Sequence, residues 1–279
     1  MKTLEAHYTC KRLALEWNYD KQYCDVSMPG YISQCINKFQ YDPPTKRQHS
    51  PHHHTPIVYG EKGQTQNENI PDVTTKLNKN DTKKVQSIIG HLLYYARAIY
   101  GTLLPALNDI ASQQAQPTEY TMVKCKRLLD YVSTYPNATI RYHTSNMKLH
   151  IDSDAAYQVM PKARNRVAGF FNLGQPNTFM TQQQPNGAIL IECKTLRHVV
   201  ASAAEAEVGG IFHNAQIALP IWYMLQQLGH PQGPMPIKTD NSTVHNFIYE
   251  NINLKKSKSW DMRVYWLRDR ENQKQFRTY

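Results

Sequence analysis

The chain has 279 residues, enough for one large core or two modest ones, and the usual size of a domain favours two. Its 41% hydrophobic and 19% charged residues are those of an ordinary soluble protein; no apolar run approaches the roughly 18 residues of a membrane span, and Met1 opens onto KTLEAHYTCKR rather than a secretory signal. The formal net charge of +10, with a pI near 9.3, points to a polyanionic partner.

The five cysteines (Cys10, Cys24, Cys35, Cys125, Cys193) are scattered, odd in number and free of any CxxC pair, so they read as reduced thiols in an intracellular protein. The strand-like stretch Leu13 to Trp17 arrives almost at once, as in a chain whose N-terminus is truncated. Residues 11 to 30 alternate enough to predict a hairpin, with Asn18, Asp20 and Lys21 in its turn and Pro29-Gly30 at its end. A short helix follows, its apolar face made by Tyr31, Ile32, Cys35, Ile36 and Phe39, and Asp42-Pro43-Pro44 stops it. From Thr45 to about Asn80 the sequence is polar and aperiodic, and reads as a long loop. His49 and His52 to His54 within it have no cysteine or carboxylate at a ligand spacing and read as a solvated run.

Helical pattern resumes with Asp81 as N-cap and Val85, Ile88, Ile89, Leu92, Leu93, Tyr95 and Ala96 as apolar positions, and again from Thr118 through Leu128, Leu129 and Val132 to Tyr135-Pro136-Asn137. The grammar then changes to short strands: Thr139 to Tyr142, Lys148 to Asp152, Arg166 to Leu173 and Ala188 to Cys193. A helix from about Ser202 to Leu228, interrupted at Pro220, leads to a strand from Pro236 to Thr239 and to helices from Ser242 and Ser257. The order is β-β-β-α-β-α, in a mixed α/β second half with its boundary near residue 145.

Asp152 ends a strand on which His150, Asp152 and Asp154 share one face. Asp240 lies just beyond the second apolar strand, and Glu205 and Glu207 lie near the start of the intervening helix. If the two strands are neighbours, an Asp, a Glu and an Asp converge and repel one another unless cations sit among them. Such hard oxygen ligands suit magnesium or manganese, and two such ions are a standard device for hydrolysing phosphodiesters. On spacing alone, these are equally four of 22 acidic residues placed where turns and helix starts carry Asp and Glu.

The ordered runs LHIDSDAAY, RNRVAGFFNLG, KTLRHVVASAAEAEVGGIFHNAQ, PIKTDNSTVHNFI and KKSKSWDMRVYWLRDR resemble the ribonuclease H domain of copia-type retrotransposon pol polyproteins. Upstream, SMPGYISQCINKF, VQSIIGHLLYYARA and KRLLDYV are similar to the thumb and connection segment of the same polyproteins' reverse transcriptase. The resemblance implies a mainly helical thumb/connection segment at 1–145 and a ribonuclease H-like fold at 146–279. It implies Asp152, Glu207 and Asp240 as catalytic ligands of two Mg²⁺ or Mn²⁺ ions, with Asp154 and Glu205 as neighbours. The substrate implied is the RNA strand of an RNA/DNA hybrid, with Lys255, Lys256, Lys258, Arg263 and Arg268 on its backbone, joined by Arg270 and Lys274. The same basic segment also reads as a solvated helix face.

Two departures qualify what is implied. The polymerase palm with its Tyr-x-Asp-Asp turn does not occur, so the upstream palm and other pol products are partners in the intact polyprotein rather than parts of this chain. The family's last strand and final helix, which supplies a fourth carboxylate, would follow KQFRTY; Asp261 and Asp269 match a helix before that strand. The expected product is therefore a truncated, impaired nuclease or, alternatively, a catalytically dead relic or non-catalytic nucleic-acid-binding module. His198 and His245 are not assigned catalytic roles, and Trp222, Tyr223, Trp260 and Trp266 read as core aromatics. The family's setting is cytoplasmic particles and then the nucleus.

Overall fold

The computed structural model describes residues 12–52, 72–160, 164–175, 186–196, 200, 202–241, 248–249 and 258–279, with backbone alone at 5–10, 158, 160 and 258–261. The chain divides into two compact units, Met1–His143 and Thr144–Tyr279. Both mix helix and sheet, and among the described residues no helix is long and apolar enough to cross a membrane.

The first unit carries an antiparallel sheet ordered β1 (Glu5–Cys10), β2 (Leu13–Asn18), β3 (Tyr23–Ser27), β4 (Thr139–His143). The expected hairpin is β2–β3, its turn tied by the Lys21 amide donating to Asn18 Oδ1 at 2.8 Å. The strand at 139–143, grouped from sequence with those that follow it, pairs instead with β3, where Arg141 forks onto Asp25 at 2.7 and 2.8 Å.

Helix α1 (Tyr31–Phe39) buries the five residues predicted for its face and starts after Gly30, whose φ of 72° suits glycine. Helix α2 (Lys79–Ala98) starts three residues earlier than expected: Asn78 is the N-cap, its Oδ1 accepting from the Asp81 amide at 2.9 Å. A single 3-10 turn (Gly101–Leu103) leads into α3 (Leu104–Ser112), which the sequence reading did not contain. Helix α4 (Glu119–Thr134) starts where the pattern from Thr118 placed it, with Thr118 as its N-cap, and α2, α3 and α4 bury Val85, Ile88, Leu92, Leu107, Ile110, Leu128 and Leu129. Of the long loop, residues 53–71 lie outside the described residues; the rest forms no strand or helix before α2 beyond the bridge Lys76↔Thr118.

The second unit is a five-stranded mixed sheet in the order β7-β6-β5-β8-β9. Strands β5 (Lys148–Met160), β6 (Arg164–Gly174) and β7 (Ala188–Thr195) are antiparallel neighbours, while β8 (Met235–Lys238) runs parallel to β5 and β9 (Phe276–Thr278) parallel to β8. The sequence reading ended the chain before this last strand; three of its residues pair in the sheet, with Phe276 1% exposed.

Between β7 and β8 runs α5 (Ala203–Gln227), and α6 (Lys258–Asn272) precedes β9. No interruption occurs at Pro220, which lies inside α5. Pro220 and Gln216, whose carbonyl the missing N–H leaves free, are both exposed, so water can satisfy that carbonyl. Leu149, Ile151, Phe171, Val208, Ile211, Ala215, Ile237, Leu267 and Phe276 form the core beneath α5. Trp222 and Trp266 pack against it, whereas Tyr223 is 49% exposed and is not a core aromatic; Trp260's side chain lies outside the described residues.

Candidate active site

Three elements of the second unit bring acidic side chains to one place. The parallel ladder sets Ile151 against Ile237 and Asp152 against Lys238. Two residues further on, Asp154 still lies on β5, and Asp240 lies two residues beyond the end of β8. Helix α5 is started by Ser202, whose Oγ accepts from the Glu205 amide at 3.2 Å, and its buried face then delivers Glu207 to the middle of β5. There Glu207 Oε1 accepts from the Ala155 amide at 3.3 Å.

One carboxylate oxygen each of Asp154, Glu207 and Asp240 lies within 4.8 Å of the other two. Asp154 and Asp240 are exposed, while Glu207 is 6% exposed and its Oε2 is buried with no hydrogen-bond partner. Burial pushes the Glu207 carboxyl up to about 7, with Asp154 and Asp240 acting the same way and the Ala155 N–H opposing them. A buried orphan oxygen beside two further carboxylates is what a hard divalent cation would satisfy, so the three residues fit magnesium or manganese.

The cluster differs by one member from the set expected from sequence. Asp152 stands two residues short of it, half-buried between Phe170 and Lys238 on the neighbouring strands, and Asp154 takes the place expected for it. Residues i and i+2 of a strand share a face, so alternation alone cannot choose between them. A usable signal was present: Ile151-Asp152-Ser153-Asp154 and Ile237-Lys238-Thr239-Asp240 have the same spacing from a core isoleucine, through a hydroxyl residue, to an aspartate. Glu205 sits in the first turn of α5, outside the cluster, and Asp269 pairs with Arg270 at 3.7 Å on α6. The side chain of Asp261 lies outside the described residues, as do His198 and His245.

Of the expected nucleic-acid contacts, Lys255 and Lys256 lie outside the described residues, and Lys258 is described only in its backbone. Arg263 lies over the Phe212 ring, 5.9 Å from its centroid, and Arg268 donates from Nε to the Ile248 carbonyl at 3.1 Å. Arg270 stacks on Trp266 at 5.5 Å. Arg263 and Arg268 thus tie α6 to Phe212 on α5 and to Ile248, while the Arg270 contact lies within α6.

No family model matches the chain, and no curated protein matches it. A similar solved structure has been found. It is the RNase H1 of the halophilic archaeon Halobacterium salinarum NRC-1, at a TM-score of 0.30 and 13% identity, covering 47% of this chain and 80% of that one. A likeness of that size assigns neither fold nor function.

Proposed function

We propose that the unit Thr144–Tyr279 is a ribonuclease H-type nuclease that hydrolyses the RNA strand of an RNA/DNA hybrid, in a chain descended from a copia-type retrotransposon pol polyprotein. The convergence of Asp154 in mid-β5, Glu207 near the start of α5 and Asp240 just beyond β8 carries this reading. Of the motifs that prompted the resemblance, LHIDSDAAY, KTLRHVVASAAEAEVGGIFHNAQ and PIKTDNSTVHNFI carry these three residues, and upstream SMPGYISQCINKF, VQSIIGHLLYYARA and KRLLDYV fall on α1, α2 and α4, in keeping with a thumb/connection segment.

Asp154, Glu207 and Asp240 would hold one or two Mg²⁺ or Mn²⁺ ions. Such ions supply a water of lowered pKa and neutralise charge on the departing oxygen. Hydrolysis breaks the P–O3′ bond and leaves a 3′-hydroxyl and a 5′-phosphate. Asp154 and Asp240 are the exposed pair, so the phosphate backbone approaches from their side, while Glu207 is anchored from below by the Ala155 amide. The excess of 32 Lys and Arg over 22 Asp and Glu favours a polyanion.

A second reading, nucleic-acid binding without cleavage, draws on the fact that only three acids gather among the described residues. Cleavage of a labelled RNA/DNA hybrid with Mg²⁺ or Mn²⁺ decides between them. Metal-dependent cutting that Asp154→Asn abolishes supports the nuclease, and hybrid binding without cutting supports the second reading. Cutting unaffected by EDTA or by Asp154→Asn overturns the metal centre.

A further inference from the structure

We propose that Asn214 is a positioning residue, keying α5 to the sheet at the height where Glu207 meets Asp154 and Asp240; the proposal rests on the metal-centre reading above. Asn214 lies seven residues, two helical turns, beyond Glu207 on the same buried face of α5 and is 0% exposed. Its Nδ2 donates to Ser153 Oγ and to the Ala168 carbonyl, both at 2.9 Å. Ser153 immediately precedes Asp154, and Ala168 is the cross-strand partner of Asp154. One amide therefore grips both the strand that carries the first aspartate and the strand beside it, and does so from the helix that carries the glutamate.

The amide's orientation is fixed, because a backbone carbonyl can only accept and Nδ2 must face Ala168. Asn214 Oδ1 then turns to Gly169, where a Cβ would stand only 2.5 Å away. Midway between Glu207 and Asn214, Gly210 lets α5 approach β5: a Cβ there would meet that of Ala155 at 3.3 Å and the Asp154 carbonyl oxygen at 3.6 Å. Val208, Ile211, Ala215 and Ala218 supply adhesion along this face. Apolar contact is non-directional and tolerates small slides of a helix, whereas coordinating oxygens must be held within about 0.5 Å. The two hydrogen bonds of Asn214 supply the direction that the apolar face lacks.

The test is Mn²⁺ binding by calorimetry on the full chain, beside thermal unfolding in EDTA. Asn214→Ala is expected to weaken Mn²⁺ binding about 10-fold or more, the usual effect of losing a group that orients a ligand. Ile211→Val, a core truncation on the same face, is expected to lower Tm while leaving Mn²⁺ affinity unchanged. If Asn214→Ala binds Mn²⁺ like the wild type while Asp154→Asn has lost it, positioning by Asn214 is wrong and the metal centre stands. Should Asp154→Asn bind as well as the wild type, the centre itself is wrong and this inference falls with it. If Asn214→Ala does not fold, Ser153→Ala carries the same comparison: several-fold weaker Mn²⁺ binding supports the proposal, and wild-type binding overturns it.

Discussion

Asp154 and Asp240 each follow, by three residues, one of the isoleucines Ile151 and Ile237 paired in the β5–β8 ladder, and a carboxylate oxygen of each comes within 4.8 Å of the other. The register thus selects Asp154 over Asp152, and the two aspartates should differ sharply in function. Asp154→Asn is expected to lower metal-dependent hybrid cleavage by ~10²–10³-fold, the equivalent of several kcal/mol of charge stabilisation. Asp152→Asn, which leaves the cluster intact, should cost no more than about 10-fold. Single-turnover cleavage by the two variants, side by side, measures the contrast. Equal losses would mean that Asp152 reaches the ion as well.

Glu207 predicts an unusual pH dependence of stability in EDTA. Its carboxyl has an ordinary value of 4.5 and is pushed up to about 7 in the folded protein, by burial first and then by Asp154 and Asp240. Between these values the folded chain holds a proton that the unfolded chain has lost, so stability falls as pH rises through this window. The contribution is fully present below about pH 4.5 and gone above about pH 7, and its size is on the order of 3 kcal/mol. Burial pushes Glu271 up to about 7 as well, against Arg277, and adds a change of the same sign. Urea unfolding from pH 4.5 to 7.5 should show the wild type losing more stability than Glu207→Gln, with Mn²⁺ erasing the difference by replacing the proton. A wild type and Glu207→Gln that change in parallel would contradict this.

Gly169 and Asn214 should be energetically coupled. A Cβ on Gly169 would lie 2.5 Å from Asn214 Oδ1 and 2.9 Å from the Phe171 ring, and overpacking of this kind costs ~1–3 kcal/mol. Gly169→Ala should therefore be clearly destabilised, and the same change made in an Asn214→Ala background should cost less, because the amide oxygen is no longer there. A double-mutant cycle by urea unfolding reads the coupling. Strict additivity would show that the Phe171 ring, not the amide, meets the added methyl.

What the sequence shows and hides follows from the range of the interaction involved. The apolar face of α1 and the start of α4 at Thr118 are local patterns; the first matches the structure residue for residue, and the second falls on the helix's N-cap. Asn78, Asn80 and Asp81 are three candidate caps within four residues. The choice of Asn78 depends on its extended backbone, φ −67° and ψ 171°, which composition does not reveal. Strand β5 continues to Met160, well past the alternating segment that ends at Asp152, because β6 runs beside it and supplies hydrogen-bond partners as far as Arg164. The choice of Asp154 over Asp152 is longer in range still, since it depends on pairing with a strand more than eighty residues away. Asn214 was invisible for the same reason: both of its partners lie on other elements.

Tyr95 makes the corresponding long-range connection in the first unit. Its ring is 0% exposed and stacks on Tyr31 at 5.4 Å, and its hydroxyl donates to the Pro136 carbonyl at 3.1 Å while accepting from the Ala138 amide at 3.2 Å. Burial raises the pKa of this phenol, with the Ala138 amide opposing, so the hydroxyl remains a neutral donor at any pH at which the protein is studied. Strand β4 starts at Thr139, one residue after Ala138, so this hydroxyl fixes where the chain leaves α4 and enters the sheet. Tyr95→Phe keeps the stacking but leaves a carbonyl and an amide facing a hydrocarbon edge, which should cost about 1–3 kcal/mol. Urea unfolding should register that loss, and hydrogen exchange should show the Ala138 amide losing protection by a larger factor than the amides of α2. Uniform loss across the first unit would instead mean that Tyr95 acts on global stability alone, without holding the entry to β4 in place.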